Sequence, residues 1–109
     1  MAYNLALEQK MDALSANWAG LTKKKMFGGI AYLVNGNMVA GPNKEMLVVR
    51  ANPELEAELL AQPWAKPMDF TKKPMRGWVF VSSDGWDNQE ILEDIIRKAK
   101  AHVDTLPPK

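Results

Sequence analysis

Arg50 closes the apolar run Leu47-Val48-Val49, and Asp69 sits inside the apolar context PMDF; of all the charges in the chain, these two most need a partner. A charge among apolar neighbours is costly unless it is paired or stands at the end of an element. The first reading is an Arg50–Asp69 ion pair that ties the two halves of the chain together. The second is an arginine presented in a cleft to a carboxylate or phosphate ligand. Lys23-Lys24-Lys25, followed by Phe27 and Gly28-Gly29, has the composition of a phosphate loop but not its order. In nucleotide loops the glycines come first and a helix follows; here lysines come first and a strand follows. The expectation is therefore a solvated lysine loop, with glycines that let another backbone or a tryptophan side chain approach the strand. A second basic cluster, Lys66, Lys72, Lys73 and Arg76, is interleaved with Trp64 and Trp78. Cations among aromatics are the chemistry of single-strand nucleic-acid platforms. Strand alternation puts Arg76, Trp78 and Phe80 on one face, and the plainer reading makes both aromatics core and the arginine its wet edge.

The inventory for catalysis is thin. His102 is the only histidine and cysteine is absent, which removes disulfides, thiolate nucleophiles and zinc–thiolate sites. Ser82-Ser83 lie in no elbow motif. Glu54, Glu56 and Glu58 alternate around a helix and do not converge on a metal. The methionines at 26, 38, 46, 68 and 75 fall in predicted strands and read as core filling. The expectation is a protein that is no enzyme and holds neither cofactor nor metal. Its formal net charge of +1 gives little support to nucleic acid as a partner. Hydrophobic content of 47% and charged content of 25% belong to a folded domain, and 109 residues make one of them. No signal peptide or membrane span is legible, so the expected location is cytoplasmic, with no membrane partner.

The elements that must position these residues are signposted by period and punctuation. Tyr3, Leu7, Met11, Leu14 and Trp18 form one stripe of a helix with Asn4 as cap and Gly20 near its end. Met26 to Val34 reads as a strand, Asn35-Gly36 as a hairpin turn, and Met38 to Ala40 as the return strand. Gly41-Pro42-Asn43 reads as a second turn before a strand from Met46 to Arg50. Asn52-Pro53-Glu54 starts a short helix that carries Leu55 and Leu59. Pro63 and Pro67 bracket an irregular piece, followed by a brief strand Met68-Asp69-Phe70, the turn Thr71 to Pro74 and a longer strand Met75 to Ser82. Asp87 and Glu90 stand as a capping box for the last helix, with Trp86 stapled onto Ile91. The order α-β-β-β-α-β-β-α predicts an α+β domain: one mostly antiparallel sheet of about five strands, helices at both ends and one between strands 3 and 4.

Three stretches, KKMFGGIAYLVNGNM (24–38), LVVR (47–50) and PMDFTKKPMRGWVFV (67–81), resemble the hallmark segments of the N-terminal domain of the TfoX/Sxy family of bacterial competence regulators. The resemblance covers nearly the whole chain. It implies a fold like that of secretion-chaperone-like α+β proteins and a regulatory role exerted by assisting another transcription factor. It therefore implies a protein partner in the transcription machinery; the expected assembly is a monomer or homodimer. The longer regulators carry a second, C-terminal domain; the chain given ends at Lys109, so functions that depend on that domain are not expected to transfer. Lys72 stands where the family pattern has glycine after Phe-Thr, which argues against a glycine-lined anion nest there. The residues expected to carry contacts are Lys24, Lys25, Phe27, Arg50, Asp69, Lys73, Arg76 and Trp78.

Overall fold

The computed structural model describes residues 4–26, 29–68 and 75–108, with the backbone alone at Met26, Met68, Met75 and Arg76. Asn4 caps α1 (Leu5–Ser15), its side chain accepting from the Leu7 N–H at 3.0 Å. The helix ends earlier than its apolar stripe because the Ser15 hydroxyl donates back to the Met11 carbonyl and Gly20, at φ 73°, reverses the chain. The lysine run is not a loop. It forms β1 (Leu21–Met26), paired in antiparallel register along its length with β2 (Gly29–Val34). Lysine is a poor strand former in isolation, and here the ladder overrides that preference.

Asn35 and Gly36 both take positive φ, 53° and 86°, as a tight hairpin turn demands. The return strand β3 (Asn37–Asn43) runs straight through Gly41-Pro42-Asn43, where a turn was expected. Its pairing with β2 reaches only as far as Ala40, so Pro42 has a ladder neighbour on the β4 side alone and its missing N–H costs little. The turn falls instead at Lys44-Glu45, with Lys44 at φ 53°, and leads into β4 (Met46–Arg50). Gly29 and Gly41 allow the curled ends of β2 and β3 to touch. A Cβ on Gly29 would strike the Pro42 carbonyl, and one on Gly41 the Ile30 carbonyl. The expected approach of a second backbone is thus seen at Gly29.

Asn52 caps α2 (Pro53–Leu60), accepting from the Leu55 N–H at 2.8 Å, with Pro53 in its first turn. Next come β5 (Ala65–Met68) and β6 (Met75–Val81); the brief strand begins at Ala65, earlier than expected, and Asp69-Phe70 lie outside the described residues. A helical turn absent from the expected order, α3 (Ser83–Trp86), precedes α4 (Gln89–Val103). The capping box is corrected: Asp87 closes α3, and Asn88 caps α4 by accepting from the Ile91 N–H at 3.1 Å. Trp86 therefore sits inside α3 rather than at the staple position. Its indole N–H donates to the Glu45 carbonyl at 3.0 Å. Asn4 grips the same turn, its amide N–H donating to the Glu45 carboxylate at 2.7 Å.

The fold is α+β, one antiparallel sheet of six strands in the order β1-β2-β3-β4-β6-β5 with four helices. The sixth strand is the lysine run. All the described helices lie against one face, where Tyr32, Leu47, Val49, Val79 and Val81 meet Leu7, Met11, Leu55, Leu92, Ile95 and Ala99. Strand alternation sends Ala31, Leu33, Met38, Val48, Trp78 and Phe80 to the opposite face, where they form a second, smaller apolar cluster. No described helix joins that cluster.

Candidate interaction face

The second face is built by the middle of the sheet. Ala31, Met38 and Val48, on β2, β3 and β4, are buried at its centre. Leu33, Trp78 and Phe80 surround them and are half-buried. Register places a cation next to each aromatic. Arg50 pairs with Trp78 across β4 and β6, its guanidinium 5.6 Å from the ring centroid. Lys66 pairs with Phe80 across β5 and β6, its ammonium 5.8 Å from that ring. Both distances lie within cation–π range, which is worth roughly 0.5–1 kcal/mol at a solvated site. Lys24 is exposed on the same face, opposite Ala31.

Arg50 stands beside an aromatic ring, while its expected partner Asp69 lies outside the described residues, as do Phe27 and Lys73. Arg76 is in β6, where its backbone alone is described. The two tryptophans do not share a surface. Trp78 is on the second face, whereas Trp64 packs against the helix-side core and lies over Gly85. Of the second basic cluster, Lys66 is apart from the first; Lys72 and Lys73 lie outside the described residues. Lys23-Lys24-Lys25 occupies one edge strand and Lys66 the other, five strand spacings of about 4.8 Å, or roughly 24 Å, away.

Alternation also divides the lysine run. Lys23 and Lys25 are in register with the helix-side residues Tyr32 and Ile30, and only Lys24 turns to the second face. Lys23 bridges to Glu8 at 3.0 Å and to Asp12 at 2.9 Å, and Asp12 also accepts from the Tyr32 hydroxyl at 2.6 Å. Partial burial pushes the Asp12 carboxyl up, but the Tyr32 hydroxyl and the Lys23 ammonium outweigh it and hold the group below its ordinary value. This cluster pins α1 to β1. Reading the run as a loop missed it, although the i, i+2 spacing of Lys23 and Lys25 carries the signal.

Other carboxylates are occupied structurally. Glu56 is buried and accepts from the Gly77 N–H at 2.7 Å, fixing the left-handed residue beside Trp78. Glu58 and Asp94 share Lys98, at 2.6 and 3.0 Å. Among the described residues no three His, Asp or Glu side chains are grouped to hold a metal ion. His102 is half-buried on α4, with Lys98 and Thr105 along a shallow surface cleft. Of the methionines, Met38 is in the second-face cluster and Met46 is half-buried at the start of β4. No described helix is long and apolar enough to cross a membrane.

No curated protein matches the chain. The family model of the TfoX N-terminal domain does match, over residues 12–103, from the middle of α1 to the last residue of α4. That span takes in the whole sheet and both of its faces, and the chain belongs to the TfoX N-terminal domain family.

Proposed function

We propose that this domain is a non-catalytic regulatory module that works by binding another protein, and that the second face of its sheet is the contact surface. The observation carrying this reading is an apolar and aromatic sheet face, centred on Met38, Val48 and Trp78, that no described helix covers. A half-buried aromatic beside an arginine is the usual make-up of an energetic centre in a protein interface. The sheet edges are poor alternatives. β1 carries three consecutive lysines and β5 carries Pro67, two devices that discourage a further strand from pairing. Membership of a family of competence regulators supports the regulatory part of the reading; the adaptor part rests on the face.

The test is affinity capture from a nuclease-treated lysate of the source organism, with wild type, Arg50→Glu and Lys66→Glu as baits and Arg97→Glu on the helix side as control. A protein recovered by wild type and by the control, and lost with the two face variants, is the expected result. Recovery that is unchanged by the face variants, or that disappears with nuclease, overturns the assignment.

A further inference from the structure

The charged residues are sorted by layer in a way the net charge of +1 conceals. Every charged residue in the six strands is a cation, and no strand contains Asp or Glu. The acids, Asp69 aside, lie in the helices and their caps, apart from Glu45 in the β3–β4 turn. On the second face the result is an apolar floor with cations spaced across it: Lys24 at one edge, Arg50 in the middle and Lys66 at the other edge.

Resting on the reading of that face as a protein contact, we infer that its occupant is an acidic amphipathic peptide segment, laid across the strands with its apolar side chains against the half-buried Leu33, Trp78 and Phe80 that surround the buried Met38 and Val48, and its carboxylates toward Lys24, Arg50 and Lys66. Three observations favour this over a nucleic-acid strand. Between Lys24 and Arg50 the face is aliphatic, with Ala31, Leu33, Met38 and Val48, so that stretch suits Leu or Phe side chains and offers no ring for a base to stack on; the rings are confined to β6. The two rings present, Trp78 and Phe80, already have Arg50 and Lys66 beside them. The cations are also spread one by one across about 24 Å rather than lining a continuous groove. With no acid on the described strands, a basic segment would meet like charge at Lys24, Arg50 and Lys66, so the same face selects by repulsion as well as attraction.

The probes are three labelled molecules: an 18-residue helical peptide with Glu on one side and Leu and Phe on the other, the same peptide with every Glu replaced by Lys, and a 15-mer of deoxythymidine. Binding to the full chain is read by fluorescence anisotropy at two salt concentrations, and the site by backbone amide shifts. The acidic peptide is expected to bind at least tenfold more tightly than its lysine counterpart and to weaken severalfold between 50 and 300 mM salt. The largest shifts should fall on residues 31–33, 48–50 and 78–80. Arg50→Glu should cost about tenfold, and Arg97→Glu nothing. Equal affinity for the two peptides, shifts confined to α1 and α4, or a deoxythymidine 15-mer that binds more tightly than the acidic peptide each overturn the inference. If capture of a protein partner still depends on Arg50 and Lys66 while the acidic peptide shows no preference, the partner's chemistry is wrong and the contact surface stands. If neither depends on them, both fall.

Discussion

Replacing Gly85 by alanine should destabilise the protein although it puts a better helix former into a helix. Gly85 is buried in the short turn α3, where alanine would ordinarily gain about 0.5–1 kcal/mol over glycine. A Cβ built there lies 2.6 Å from Cε3 and 2.7 Å from Cδ2 of Trp64, and 2.8 Å from Cγ1 of Val81. None of these is the free end of a flexible chain: two belong to the fused rings of an indole and one to a fully buried strand residue. Either the indole rotates outward and exposes the apolar area it covers, or α3 moves off the sheet. Overpacking of this kind costs about 1–3 kcal/mol, which outweighs the helix gain in so short an element. The net loss should be about 1–2 kcal/mol. For a domain near 100 residues that lowers the melting temperature by roughly 5–15 °C, measured by circular dichroism and checked by urea titration. The decisive comparison is made in a Trp64→Leu background, where both indole contacts are gone and only the Val81 methyl remains, so Gly85→Ala should cost clearly less than it does in the wild-type background. A melting temperature at or above wild type for the single variant, or the same loss in both backgrounds, would refute the argument.

Three further outcomes follow from the geometry. Asn88→Ala should lose about 1 kcal/mol of stability while Asp87→Ala loses clearly less, because Asn88 holds the α4 cap; equal losses in denaturant titration would restore the capping box. The folded Asp12 carboxyl sits below its unfolded value, so its contribution is fully present above about pH 4 and is lost as pH falls through the lowered value. The stability difference between wild type and Asp12→Asn should therefore shrink between pH 6 and pH 2.5, and it should stay under about 1 kcal/mol because the group is half exposed. Lys24→Val should leave the melting temperature nearly unchanged but reduce solubility at high concentration, read by light scattering, since it removes a charge from an edge strand.

What the sequence made legible followed from local chemistry. Asn4 and Asn52 are caps, and Asn35-Gly36 is a tight turn, because each needs only its own side chain or φ angle. The β4 strand, the two long helices and the antiparallel class were readable from apolar period. The features that escaped depend on partners distant in the chain. Lys23-Lys24-Lys25 has no strand signature of its own and becomes a strand only through its ladder with β2. Gly41-Pro42 carries turn composition but lies extended, because the glycine serves a close backbone approach and the proline a position with a neighbour on one side only. Of the candidate site, Arg50, Trp78 and Lys24 were identified as residues and do share a face. Trp64 was grouped with Trp78 because fourteen positions of sequence cannot say that the turn before β5 and the strand β6 send the two rings to opposite sides. The layer-wise sorting of charge is invisible in a composition that sums to +1.

The strand order carries a consequence for assembly during synthesis. From β1 to β4 each strand pairs with the one just before it, so those seams can close as the chain emerges. The next seam joins β4 to β6 across some 24 intervening residues, and its loop must be closed before any rung forms. α4, last in the chain, then spans the join: it packs on β3 and β4 and reaches α2 through Lys98 and Glu58. The first half of the molecule thus waits with the far edge of β4 unpaired until the second half arrives, and a ribosome stalled before α4 would hold a sheet whose β4–β6 seam has no clasp.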